Sequence, residues 1–212
     1  MERNKKTTEV SSGNSMSCYA TLMDGICTRQ RSTEFRVRSE GDERYIEGYF
    51  VRFGDVYELG YGISESIDPH AFDEVLASGA DVRALINHDS TLVLGRTKAG
   101  TAVFRADETG VWGSVRINPK DQDAVNALAR VERGDVDQAS FGFRDWDELR
   151  SVDKETGNVH YTLTKIKELM EFTVCTFPAY QATSLSARDA ENNKRRHDAW
   201  IEARKEKFAK WH

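Results

Sequence analysis

The segment Asp137–Arg144 reads Asp-Gln-Ala-Ser-Phe-Gly-Phe-Arg and sets one hydroxyl, Ser140, among small and aromatic neighbours. A period of two puts Ala139, Phe141 and Phe143 on one face of a strand and Gln138, Ser140 and Gly142 on the other, so the hydroxyl faces away from the apolar side. Gly142 leaves room beside that hydroxyl for another backbone, which a substrate strand would use. An unassisted hydroxyl stays protonated near neutrality, and a neutral imidazole is the side chain suited to take its proton. About fifty residues upstream, Ala84-Leu85-Ile86-Asn87-His88-Asp89 is an apolar run that delivers a histidine to a polar turn. Ser140 and His88 are therefore the candidate nucleophile and general base of an acyl transfer.

The other histidines are placed differently. His70 falls in the first turn of a predicted helix, His160 in a hairpin, and His197 and His212 on a charged tail, where each reads as a solvated polar residue. An acyl transfer also needs donors for its oxyanion, and Arg144 or the backbone amides near Gly142 and Gly95 are the candidates. Cys18, Cys27 and Cys175 form no CxxC pair and share no ligand spacing with the histidines, so a zinc site is not expected and reduced thiols are. The glycines never form a GxGxxG or P-loop pattern, and no metal or organic cofactor is called for.

Several elements must hold these groups. Phe35–Arg38 and Tyr45–Phe53 alternate as strands, the second with enough apolar residues for a core. Tyr61–Ile67 is a further strand, closed by Asp68-Pro69, which caps and opens a short helix with Phe72, Val75 and Leu76 on one face and Gly79 at its end. Val82–Asn87 runs extended into His88, and Thr91–Thr97 follows the turn. Thr101–Ala106 and Gly110–Ile117 form a hairpin across Asp107–Gly110. Asn118-Pro119 opens a second helix, with Val125, Leu128 and Ala129 inward and Gly134 as its stop. After the serine strand, Trp146–Leu163 reads as a hairpin turning at Asp153–Asn158, and Ile166–Thr176 as a last core strand. The predicted class is α+β: a mainly antiparallel β-barrel or sheet core with helices packed outside.

A chain of 212 residues suits one domain with tails, and the 39% hydrophobic and 31% charged fractions fit a globular centre with polar ends. Residues 1–33 read as a disordered or weakly ordered extension, with residues 1–17 having almost nothing to bury. Residues 34–186 form the domain. Residues 187–212 read as a charged helical tail with Trp200, Ala203, Phe208 and Trp211 on a loose apolar stripe. The net charge of -5 argues against the nucleic-acid backbone as main partner. No run of about eighteen apolar residues and no signal-peptide core is present, so a soluble intracellular chain is expected and a membrane is not.

Asn87-His88-Asp89 followed by Leu94-Gly95, then Ala139-Ser140-Phe141-Gly142-Phe143, then Leu169–Val174 and Phe177-Pro178-Ala179-Tyr180, resembles the prohead (capsid maturation) serine proteases of tailed bacteriophages in order and spacing. The resemblance covers residues 47–186. It implies a fold like that of the herpesvirus assemblins and a serine endopeptidase acting in the host cytoplasm, inside the immature head, on scaffold and major capsid protein and on itself. By analogy with the assemblins it also implies a homodimer. Ser140 and His88 take the roles given above, and Glu171 matches the acidic residue that precedes the last core strand in these proteases. Glu168 and Asp89 remain rivals as the group that holds the imidazole. Asp89 adjoins His88, and neighbouring strand residues point to opposite faces. The assemblins use a second histidine in this role, and none here matches its place. The competing reading is a catalytically idle assembly or scaffold protein of the same fold.

Overall fold

The alternating stretches become strands in the computed structural model, which describes residues 7–12, 21–22, 26–60 and 62–176. In chain order these are β1 (Thr7–Ser12), β2 (Thr21–Leu22), β3 (Ile26–Ser32), β4 (Arg36–Glu40), β5 (Glu43–Arg52), β6 (Tyr57–Gly60) and β7 (Ile63–Ile67). After the short helix α1 (Asp73–Ala77) come β8 (Arg83–Ile86), β9 (Asp89–Arg96), β10 (Ala102–Ala106) and β11 (Gly110–Ile117). Helix α2 (Gln122–Arg133) leads into the two longest strands, β12 (Gln138–Val152) and β13 (Val159–Cys175).

β12 and β13 are an antiparallel pair, and the larger sheet grows outward from them. The outer edge of β12 carries β3 along residues 138–143 and β1 along residues 147–152, both antiparallel. The outer edge of β13 carries β7 at its start and β8 near its end, both parallel. A second sheet, β10-β11-β5-β4, is antiparallel throughout. The inward faces of the two sheets meet in an aromatic core, where Phe172 of β13 lies 4.5 Å from Phe104 and 5.5 Å from Phe50 between ring centroids. Ala139, Phe141 and Phe143 of β12 are buried in that core, as the period of two requires.

The α+β class holds, but the sheets are mixed, and among the described residues neither closes into a barrel. Alternation reports which face of a strand is buried and is silent on the direction of its neighbour, so the parallel pairing of β7 and β8 left no mark in the sequence. The proposed hairpin at Trp146–Leu163 and the last strand are one continuous ladder with bulges at Gly142/Phe143 and Asp147/Glu148. The turn at Asp153 is as expected: its side chain accepts from the amides of Glu155 and Thr156.

Both helices are present with shifted details. Asp121, not Asn118, caps α2, accepting from the amides of Asp123 and Ala124, and Gly134 closes it at φ 82°. The buried stripe is Ala124, Ala127 and Val131, with Ala129 exposed, because α2 rests on its small residues. In the segment read as a weak extension, residues 7–12 and 26–32 are strands on β12, and Cys27, Thr28 and Arg29 are buried. Backbone hydrogen bonds to a long exposed edge are open to a polar sequence, which composition does not reveal. Cys27 is disulfide-bonded, contrary to the expected reduced thiol, while Cys175 is free. The tail at residues 187–212, with its stripe, lies outside the described residues.

Candidate active site

β8 and β9 are joined by a two-residue hairpin turn, Asn87-His88, with φ of 51° and 60°. Positive φ at both positions is the geometry of a type I′ turn, which favours Asn-Gly; a histidine in the second place carries strain of about 1 kcal/mol or more. The end of β13 clamps this turn. The Asn87 amide donates to the Val174 carbonyl at 3.0 Å, the Thr176 amide donates to Asn87 Oδ1 at 3.0 Å, and the His88 amide donates to Thr173 Oγ1 at 3.1 Å.

So held, His88 meets Glu171, with Nδ1 2.6 Å from Oε1 and the two side chains only 12% and 6% exposed. A carboxylate there is an acceptor, so Nδ1 carries the proton and Nε2 presents its lone pair. Burial pushes the Glu171 carboxyl above the usual carboxylate range, and the His88 hydrogen bond pulls it back in part. The rivals are elsewhere. Asp89 Oδ1 accepts from the amide and hydroxyl of Thr91, which holds its carboxyl below the usual range, and Glu168 is exposed beside the Cα position of Arg144.

Ser140 lies directly across the ladder from Thr173, and Gly142 across from Glu171. Opposed residues of an antiparallel pair project to the same face, so Ser140, Thr173, Glu171 and the His88 turn share one side of the sheet. The hydroxyl of Ser140, however, is fully buried and donates to the Arg29 carbonyl of β3 at 2.6 Å rather than to His88. The room beside Gly142 belongs to β3, whose Thr28 pairs with it.

Among the described residues, three buried side-chain polar atoms lack a hydrogen-bond partner: His88 Nε2, Glu171 Oε2 and Arg144 Nε. Fully folded proteins leave few such groups, and sites of chemistry are where they are tolerated. The absence of a side chain at Gly95 has a packing reason: a Cβ there would lie 2.9 Å from the Thr101 carbonyl oxygen. Cys175 is no rival nucleophile, since burial, with the Glu171 charge adding, pushes its thiol up and keeps it protonated. His160, read as a solvated residue, is half-buried with Ser64 Oγ 2.8 Å from Nδ1 and Ser66 Oγ 2.9 Å from Nε2. His70 is exposed and pairs with Asp73 at 2.8 Å.

Thr173 and Arg29 escaped the reading of the sequence. Thr173 had a signal, because a period of two puts it on the face of Glu171. Arg29 had none. Its guanidinium meets Glu65 through Nε and, at 2.7 Å, Nη2, with both side chains fully buried, and this partner is 36 positions away in sequence.

A serine and a carboxylate on one face of a strand pair, with a histidine from a neighbouring turn bonded to the carboxylate, are residue types that serine hydrolases combine. The model of the caudovirus prohead serine protease family matches residues 32–196, and the chain belongs to that family. The prohead protease of Enterobacteria phage HK97 is 27% identical over 175 residues, covering 76% of this chain and 71% of that protein. Among solved structures, the bacteriophage T4 capsid assembly protease, gp21, matches with a TM-score of 0.45 and 12% identity, over 72% of this chain and 98% of that one.

Proposed function

We propose that this chain is a serine endopeptidase of phage head maturation whose reaction runs through Ser140, His88 and Glu171. The observation that carries the reading is the buried 2.6 Å pair of His88 and Glu171, which leaves Nε2 as an unpartnered base on the serine's side of the sheet. The reaction requires the Ser140 hydroxyl to leave the Arg29 carbonyl and meet Nε2. Oγ then attacks the peptide carbonyl carbon as its proton passes to Nε2, and that proton goes to the leaving amine as the C–N bond breaks. Water, deprotonated by the same nitrogen, then attacks the acyl carbon, and the proton passes to Ser140 Oγ as the ester C–O bond breaks. Glu171 holds the tautomer and offsets the imidazolium charge. Arg144, with an unpartnered Nε two residues beyond Gly142, serves the oxyanion.

The substrates are the scaffold and major capsid proteins and the chain itself, cut inside the immature head in the host cytoplasm, by a homodimer. Residues 34–186 are the protease unit, completed by β3; residues 187–212 dock on a scaffold or capsid protein or are trimmed. Mass spectrometry of purified protein incubated alone and with its capsid and scaffold proteins tests this. Wild type should produce defined fragments and Ser140→Ala none. Unchanged fragments from Ser140→Ala would remove Ser140 from the reaction.

A second reading, an idle assembly protein, is favoured by the complete burial of Ser140 and its bond to the Arg29 carbonyl. Head maturation by Ser140→Ala phage would favour it.

A further inference from the structure

We infer that Thr173 is a positioning residue for the general base, acting through the backbone of His88. The inference rests on the roles proposed above for Ser140, His88 and Glu171. Thr173 is fully buried, and its Oγ1 accepts the His88 amide at 3.1 Å. Its backbone lies across from Ser140, and Glu171 is two residues before it on the same face of β13. One hydroxyl thus ties the base's main chain to the strand that carries the base's carboxylate partner, opposite the nucleophile.

The need for such a tie comes from the turn. His88 holds φ 60° without the glycine that a type I′ turn favours, so its conformation must be enforced from outside. The ladder between β8 and β9 ends irregularly there, with register shifts on either side of Leu85. The Asn87 bonds fix where the turn docks, at Val174 and Thr176. The Thr173 bond is made to the His88 backbone amide, and it sets the direction of the Cα–Cβ bond. Without it, the peptide before His88 is free to rotate toward other hydrogen-bond partners, and the imidazole swings on the same axis. The Nδ1 contact to Glu171 is then kept only part of the time, and with it the tautomer that leaves Nε2 basic.

Threonine suits this position for two reasons. Its β-branched side chain fits a central strand, and its restricted χ1 rotation holds the oxygen in one place. Valine has nearly the same shape and no acceptor, which makes Thr173→Val the discriminating change and Thr173→Ser the conservative one.

The test uses the full chain. Three quantities are followed: turnover of a cleavable peptide, phosphonylation of Ser140 by a fluorophosphonate with loss of fluoride, and the low-field proton resonance of His88 Nδ1–H facing Glu171. In Thr173→Val, kcat and the phosphonylation rate should fall about 10- to 100-fold with KM changed less than about twofold, as expected for a misplaced group that binds no substrate. The low-field resonance should broaden or vanish. Thr173→Ser should restore the resonance and bring the rates within about threefold of wild type. A Thr173→Val protein that keeps both wild-type rates and the resonance, while Ser140→Ala is inert, overturns the role of Thr173 and leaves the proposed protease standing. If Ser140→Ala is still active, the role of Ser140 as nucleophile fails, and the resonance alone decides for or against Thr173. Should Thr173→Val not fold, hydrogen exchange at the wild-type His88 amide decides. Strong protection supports the tie, and exchange as fast as in exposed turns overturns it.

Discussion

The Arg29–Glu65 pair and the His88–Glu171 pair lie on opposite faces of the same sheet, both buried, and they differ in how fully their polar atoms are used. Arg29 is opposed to Phe141 and turns into the core, where its guanidinium lies 5.6 Å from the centroid of the Phe143 ring. Each of its three nitrogens has a partner: Nε and Nη2 on Glu65, and Nη1 on the Thr28 carbonyl. On the other face, His88 and Glu171 share one hydrogen bond and leave Nε2 and Oε2 unpartnered. A saturated buried pair fixes one arrangement of the chain, whereas an unsaturated one keeps a lone pair available at the expense of stability. On the catalytic reading proposed above, the contrast separates a structural pair from a chemical one.

The sharpest way to break that contrast is Glu171→Gln. The amide is nearly isosteric but does not select the useful tautomer, so peptide turnover should fall roughly 10³–10⁴-fold while the thermal midpoint moves little. Equal losses of activity and stability would make this pair structural as well. The opposite outcome is expected at the other pair. Glu65→Ala strands a buried guanidinium and should cost about 3–5 kcal/mol in urea unfolding, whereas the double change Arg29→Met with Glu65→Leu should recover most of that stability. If Glu65→Ala instead folds as well as wild type, the saturated pair is not what fixes β3 to the core.

The smallest effect is in the pH dependence. The folded-state pKa of Glu171 is raised, so folding favours its protonated form. Its contribution to stability is therefore fully present below the ordinary carboxylate pKa and is lost as pH rises through the raised value. Activity runs the other way, since the ionised carboxylate holds the imidazole. The acid limb of kcat should lie above the range of a free glutamate, and Glu171→Gln should flatten the stability change over the same window. A limb at the ordinary carboxylate position would place Glu171 in a wetter setting than the structure gives it.

Much of this was legible in the chain. The period of two around Ser140 correctly separates Phe141 and Phe143 from the serine's face, and the apolar run before Asn87 correctly ends in a turn bearing His88. Glu171 came from resemblance, and it is the carboxylate that the fold brings to His88. Less was legible where partners are far apart in sequence. The strand in the polar stretch at residues 26–32, the parallel docking of β7 and β8, and the Arg29–Glu65 pair have no local signature. The α2 cap slipped from Asn118 to Asp121 because both residues make the same kind of turn, with Asn118 Oδ1 accepting from the Lys120 amide.

By itself the sequence determined what is local: the faces of its strands, the residues in its turns, and the glycine that ends its longer helix. These follow from backbone sterics and from hydrogen bonds between near neighbours, which residue types encode directly. Tertiary structure alone decided that β3 covers the serine's edge, that the Ser140 proton rests on the Arg29 carbonyl, and that Thr173 holds the backbone of His88. Such choices depend on strand register and on which edges are left open. Backbone donors and acceptors are alike in every residue but proline, so only the assembled sheet selects among them.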